Sequence, residues 1–169
     1  IGYAVPLNST DISNGVVVQN NSQVKVLNAG TYNIQFSCQL HNTGGGGSGT
    51  LVTIWLAKNG VAIANTATDV TVNTNSPYIA AAWNFMETLA ANDYIELYWS
   101  TDNTNIVIES IGATGIQGAT GFSPAIPSTI LTVQQVAYAI TGATGIQGAS
   151  GSTGVSGSTG VQGASGSTG

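Results

Sequence analysis

From Ala29 to Thr43, apolar and polar residues alternate almost one by one. Tyr32, Ile34, Phe36, Cys38 and Leu40 fall on one side of this stretch, and Asn33, Gln35, Ser37, Gln39 and His41 on the other. A period of two held over this length predicts a β-strand with one buried face. Thr50 to Thr66 places Lys58-Asn59-Gly60 between apolar runs, and Asn-Gly in that setting predicts a tight hairpin. Gly15 to Leu27 has two β-branched runs around Asn20-Asn21, a second hairpin cue. Tyr78 to Leu89 reads as a further strand, and Ala91 to Asp102 opens with a turn at Ala91-Asn92-Asp93 before Ile95, Leu97 and Trp99 alternate with Glu96 and Tyr98. Asn105 to Ile111 is another short strand. No sustained helical period occurs in this region. Short strands separated by Gly and Asn turns predict an all-β sandwich.

Glycine spacing takes over beyond residue 111. Gly112, Gly115, Gly118 and Gly121 recur every third residue, and then a glycine-free stretch follows with a strong strand over 129–139. A lone strand is not stable, so it is expected to close the sandwich. The glycine stretch 112–121 then becomes a loop, although a short triple helix has the same spacing. The chain ends on a second register: Gly142, Gly145, Gly148, Gly151, Gly154, Gly157, Gly160, Gly163, Gly166 and Gly169, with no glycine out of frame. Only glycine fits where three polyproline-II chains meet at one axis. A flexible linker needs glycine but not in register. The expected organisation is a bead at 1–140 and a collagen-like stalk at 142–169, the stalk about 85 Å long at the triple-helix rise. Its x and y positions hold no proline, so a trimeric bead, or sugars on its threonines, would have to support it.

Composition narrows the partners. Of 169 residues only 5% are charged, against about 25% in ordinary globular domains. Lys25 and Lys58 are the only cations, and the net charge is −5. Phosphate backbones are held by Lys and Arg, so nucleic acid is not an expected partner. No run of 18 apolar residues suggests a membrane span. The repeat is still in frame at Gly169 and the first residue is not methionine, which suggests a piece of a longer polypeptide.

Candidate chemistry is sparse, and no enzyme, cofactor or metal site is expected. His41 is the only histidine, at a strand end on the polar face, and reads as a surface or interface residue rather than a general base. Cys38 falls on the inward face and reads as a small buried hydrophobe. Asp102-Asn103-Thr104-Asn105 has a faint likeness to a calcium loop but lacks a further acid at fixed spacing, and so reads as a turn. Trp55, Trp83 and Trp99, with Tyr32, Ile34, Phe36, Cys38 and Phe85, are expected to fill the core or a trimer axis. A glycan platform of exposed aromatics is the alternative.

In order and spacing, Gly30-Thr31-Tyr32, Lys58-Asn59-Gly60 and Ala91-Asn92-Asp93-Tyr94 resemble the jelly roll of the complement globular head and tumour necrosis factor superfamily. The likeness covers most of residues 1–140. The wording of NAGTYNIQFS, AAWNF and PAIPSTILTVQQV is similar to collagen-like structural proteins of cyanophages and related tailed phages. One departure is order, because in complement heads the collagen precedes the head, whereas here a collagen-like stretch follows it. The resemblance implies a trimeric jelly roll that registers and nucleates the stalk in an extracellular fibre or virion appendage, with the chain itself as its main partner. Two alternatives share this architecture: a receptor- or glycan-binding tip module, and a bacterial surface or spore-hair filament protein.

Overall fold

The computed structural model describes residues 1–44, 49–74, 78–136, 151, 153–163 and 165–166. The chain divides into a unit spanning Ile1–Ala137 and a tail spanning Tyr138–Gly169. Eleven β-strands and no helix occur among the described residues.

They are β1 (Tyr3–Ala4), β2 (Val16–Gln19), β3 (Gln23–Val26), β4 (Gly30–Asn42), β5 (Thr50–Lys58), β6 (Val61–Ala62), β7 (Thr68–Val72), β8 (Ile79–Leu89), β9 (Tyr94–Thr101), β10 (Ile106–Ile108) and β11 (Thr129–Gln135). One sheet has seven strands in the order β2-β3-β9-β5-β6, with β1 added on β9 and β7 on β5. The other has four: β4 carries β8 along one edge and β11 and β10 along the other. All pairings are antiparallel. From β3 onward the chain crosses between sheets at β4, β5, β8, β9 and β10, the winding of a jelly roll.

The hairpin signals mark where the backbone turns left-handed. Asn20 and Asn21, at φ 50° and 58°, join β2 to β3, and Asn59 and Gly60, at 52° and 80°, join β5 to β6. Asparagine and glycine are the residues that take this conformation at least cost. A clasp links two of the turns. Asn59 Nδ2 donates to Asp93 Oδ1 at 2.8 Å, and Asn59 Oδ1 accepts from the Tyr94 amide at 3.0 Å. The other carboxylate oxygen of Asp93 accepts from the Ala90 amide at 2.8 Å. The Asn59 bond, then the Ala90 amide, hold the Asp93 carboxyl below its ordinary range. A carboxyl depressed in the folded state contributes stability above its unfolded range and loses it as pH falls through its folded range. Asp93→Ala is therefore expected to melt below the parent at neutral pH, with the two melting temperatures converging in acid. A difference that stays constant across that pH range would refute the clasp.

Alternation along β4 buries Tyr32, Ile34, Phe36, Cys38 and Leu40. They meet Val52, Ile54 and Leu56 of β5, Ile95 and Leu97 of β9, and Val24 and Val26 of β3 across the sandwich. Trp83, Phe85 and Trp99 pack against this core while partly exposed. Trp55, expected in the core or at a trimer axis, lies outside the core. Its odd position on β5 turns it to the outer face of the seven-stranded sheet, where it stacks on Tyr98 with centroids 5.7 Å apart. Burial raises the Cys38 thiol above its ordinary range, with a smaller opposing effect from the Thr129 hydroxyl bonded to it. That environment disfavours the thiolate a nucleophile needs.

Three of the four glycines in the 112–121 stretch do not have triple-helix backbone. Gly115, Gly118 and Gly121 have φ of 72°, 89° and 83°, whereas polyproline-II chains hold φ near −75°. Bridges at Ile111↔Ile126 and Thr114↔Ser123 close the stretch into a loop between β10 and β11. A Cβ on Gly115 would also lie 3.3 Å from the Phe122 Cα, while one on Gly112 would meet nothing. Gly115→Ala is thus expected to cost about 1–2 kcal/mol and lower the bead's melting temperature by a few degrees, with Gly112→Ala nearly silent. A triple helix would reject both equally, so equal losses on thermal melting would overturn the loop.

In the tail, Gly151, Gly154, Gly157, Gly160, Gly163 and Gly166 have none of this left-handed backbone and no neighbour within 4 Å of an added Cβ. Gly142, Gly145, Gly148 and Gly169 lie outside the described residues, as do residues 137–139 of the expected last strand.

Candidate functional site

The two outer faces of the sandwich differ in chemistry. On the seven-stranded sheet, Lys25, Asp69 and Glu96 share the outer face with Trp55 and Tyr98. Glu96 is buried there and accepts from Ser22 Oγ at 2.7 Å, and Thr53 Oγ1 donates to Asp69 Oδ1 at 2.6 Å. Gly2 packs against the Trp55 ring, so the N-terminal segment touches this face.

On the four-stranded sheet, β4 turns outward Asn33, Gln35, Ser37, Gln39 and His41. From β8 come Ala80, Ala82, Asn84, Met86 and Thr88, and from β11 Ile130, Thr132 and Gln134. No acid, lysine or arginine is among them. Register brings Gln35 opposite Asn84 and Thr132, and Ser37 opposite Ala82 and Ile130. Met86 and Ile130 are 54% and 53% exposed. The Asn84 amide donates to Asn33 Oδ1 along the same face. At strand spacings this is a face about 35 Å long and 14 Å wide. The face is thus neutral amides and hydroxyls with small and apolar side chains between them.

One charged group stands at the end of this face. His41 Nδ1 lies 2.7 Å from Glu109 Oε2, the only histidine–carboxylate contact among the described residues. The Glu109 amide donates to Gln39 O at 3.0 Å, which anchors the acid beside β4. The Tyr78 ring packs on the imidazole with centroids 4.6 Å apart, and its hydroxyl is 3.5 Å from the same carboxylate oxygen. A carboxylate can only accept, so Nδ1 carries the hydrogen of this bond and Nε2 is the acceptor of the neutral ring. The sequence marks His41 as outward-facing but does not show Glu109 and Tyr78, which lie 68 and 37 positions further along the chain.

The suspected calcium loop is a turn. Asn103 Oδ1 accepts from the Asn105 amide at 2.9 Å and Asn103 Nδ2 donates to Thr50 Oγ1 at 2.9 Å, so its side chain is spent on local bonds. Among the described residues no three His, Cys, Asp or Glu side chains of one chain gather to hold a metal.

No family model matches the sequence, and no curated protein does. Among solved structures, crystal structures of GITRL from pika and from rabbit are similar to part of this chain. The pika protein matches at 18% identity over 56% of this chain and 74% of its own, with a TM-score of 0.37. For the rabbit protein the values are 24%, 54%, 74% and 0.33. At these scores the likeness decides nothing further, and the jelly roll stands on the strand order above. No helix among the described residues is long and apolar enough to cross a membrane.

Proposed function

We propose that this chain is a non-catalytic structural protein, a homotrimeric jelly-roll bead that registers a collagen-like stalk in an extracellular fibre or virion appendage. One observation carries it: the outer face of the four-stranded sheet has no acid, lysine or arginine, whereas the opposite face carries both signs of charge. In the reading, three such faces pack around a threefold axis and bring three chain ends together in register. This removes the costly nucleation step of a triple helix that lacks proline. Ten tail glycines at strict spacing support the stalk, as does the lack of left-handed φ at the six described ones.

Sedimentation of the full chain tests the bead and circular dichroism tests the stalk. The expected results are three times the 17.0 kDa chain mass and a polyproline-II signal that melts cooperatively. A stable single chain would sink the first claim, and a tail with no melt the second.

The Trp55–Tyr98 stack favours a second reading, in which the opposite face binds a surface glycan. It predicts glycan-array signals that Trp55→Ala abolishes at unchanged bead stability. Arrays with no Trp55-dependent signal would remove it.

A further inference from the structure

The His41–Glu109 pair is out of keeping with the rest of its surroundings. In a chain with nine charged residues, it puts a carboxylate at the end of a face otherwise without acids or lysines. β4 is the central strand of its sheet, flanked by β8 on one side and by β10 and β11 on the other. Its outward residues, Asn33 to His41, therefore run along the midline of the face. A threefold assembly in which this face lines the axis brings three such midlines together. Of those midline residues, His41 alone carries a good ligand atom for a transition metal.

The local geometry suits that role. An imidazole that binds a metal through one nitrogen almost always gives its other N–H to a carboxylate or carbonyl, which fixes the tautomer and the ring direction. His41 Nδ1 makes that bond to Glu109 at 2.7 Å, and the Tyr78 ring packs on the imidazole. Nε2 has no hydrogen-bond partner among the described residues, on a side chain that is 25% exposed. Glu109 is itself tied to β4 through its amide.

We propose that His41 of three copies binds one borderline divalent metal ion, with zinc as the representative, at the end of the trimer axis. Each Nε2 supplies one ligand and solvent completes the tetrahedron, an arrangement of three imidazoles well suited to zinc. Each Glu109 acts as a positioning residue by holding its imidazole. The site is incomplete in one chain and exists only in the assembly, so it rests on the trimer reading above. Electrostatics favours it further: three Glu109 carboxylates drawn toward one axis repel, and a divalent cation offsets that repulsion.

The test uses the full chain, stripped with EDTA and then titrated with zinc by calorimetry. Parallel sedimentation runs are made with EDTA and with zinc. The expected result is one zinc per three chains, a higher melting temperature with zinc, and a tetrahedral cobalt absorption spectrum on substitution. His41→Gln should abolish all three. Glu109→Gln should weaken zinc by roughly 10–100-fold while keeping the one-to-three ratio, a pattern that a purely structural pair would not produce. A trimer in EDTA whose zinc binding is absent, is one per chain, or persists in His41→Gln overturns the metal site and leaves the trimer standing. A single chain under both conditions overturns the trimer, and the site with it.

Discussion

Phe36→Ala is expected to remove a large share of the bead's stability. Phe36 is 2% exposed at the middle of β4, directly opposite Trp83 on β8 and Leu131 on β11. Its ring lies 5.4 Å from Trp83, tilted by 48°, and 6.2 Å from Phe85, stacked at 12°. Three strands of the smaller sheet thus meet on one side chain. Deleting a buried phenylalanine costs about 3–5 kcal/mol, from lost transfer free energy and from the cavity left behind. Whole domains are stable by only about 5–15 kcal/mol. Neighbouring strands hold the walls of the cavity apart, so little collapse should relieve the loss. Urea unfolding followed by tryptophan fluorescence measures it, with Trp83 beside the site as reporter. Phe36→Leu keeps most of the volume and should lose less than half as much. A loss below about 1 kcal/mol for Phe36→Ala would mean that this cluster is not the core.

The second large effect concerns assembly. Gln35→Glu with Ala82→Glu should convert the trimer to single chains while the bead stays folded. Both positions are exposed in one chain, and exposed substitutions of this kind usually change stability by about 0.5 kcal/mol or less. At the centre of a closed threefold contact the same pair puts six carboxylates in a face that has no cation to meet them. Unpaired buried charge costs several kcal/mol per ion, far more than the single-chain effect. Sedimentation reads the mass and thermal melting reads the fold. A three-chain mass retained by the double variant would place the contact on another surface. Moving the two acids to Thr53 and Ser100, on the opposite face, should leave the mass unchanged.

Much of the sandwich is legible in local chemistry. Alternation from Tyr32 to His41 assigns each residue of β4 to its face, because side chains of a strand point in turn to opposite sides. Asn20-Asn21, Asn59-Gly60 and Asn92 mark turns because these residues enter the left-handed region cheaply. Sheet membership is not local. Trp55 sits in an apolar stretch that reads as core, yet its facing depends on which side of β5 the other sheet covers. Pairing β5 with β9 places it against Tyr98, outside the core. His41 meets Glu109 only because β10 lies antiparallel to the end of β4, with Val107 opposite His41. No spacing in the sequence encodes that contact.

The octapeptide GATGIQGA, which occurs at 112–119 and again at 142–149, separates the two kinds of information most plainly. Both copies carry the same glycine period, and the sequence alone determined that period, the alternating strands and the near absence of charge. These are properties of residues and their immediate neighbours. The eight residues themselves do not distinguish loop from triple helix; the strand after the first copy points to a loop, and the tertiary structure decided it. The hydrogen bonds of β11 to β4, with Leu131 and Val133 packed partly buried against the core, outweigh any preference of eight residues, and the chain between β10 and β11 must turn back to satisfy them. Gly115, Gly118 and Gly121 accommodate that return in left-handed backbone, which is the use of glycine there.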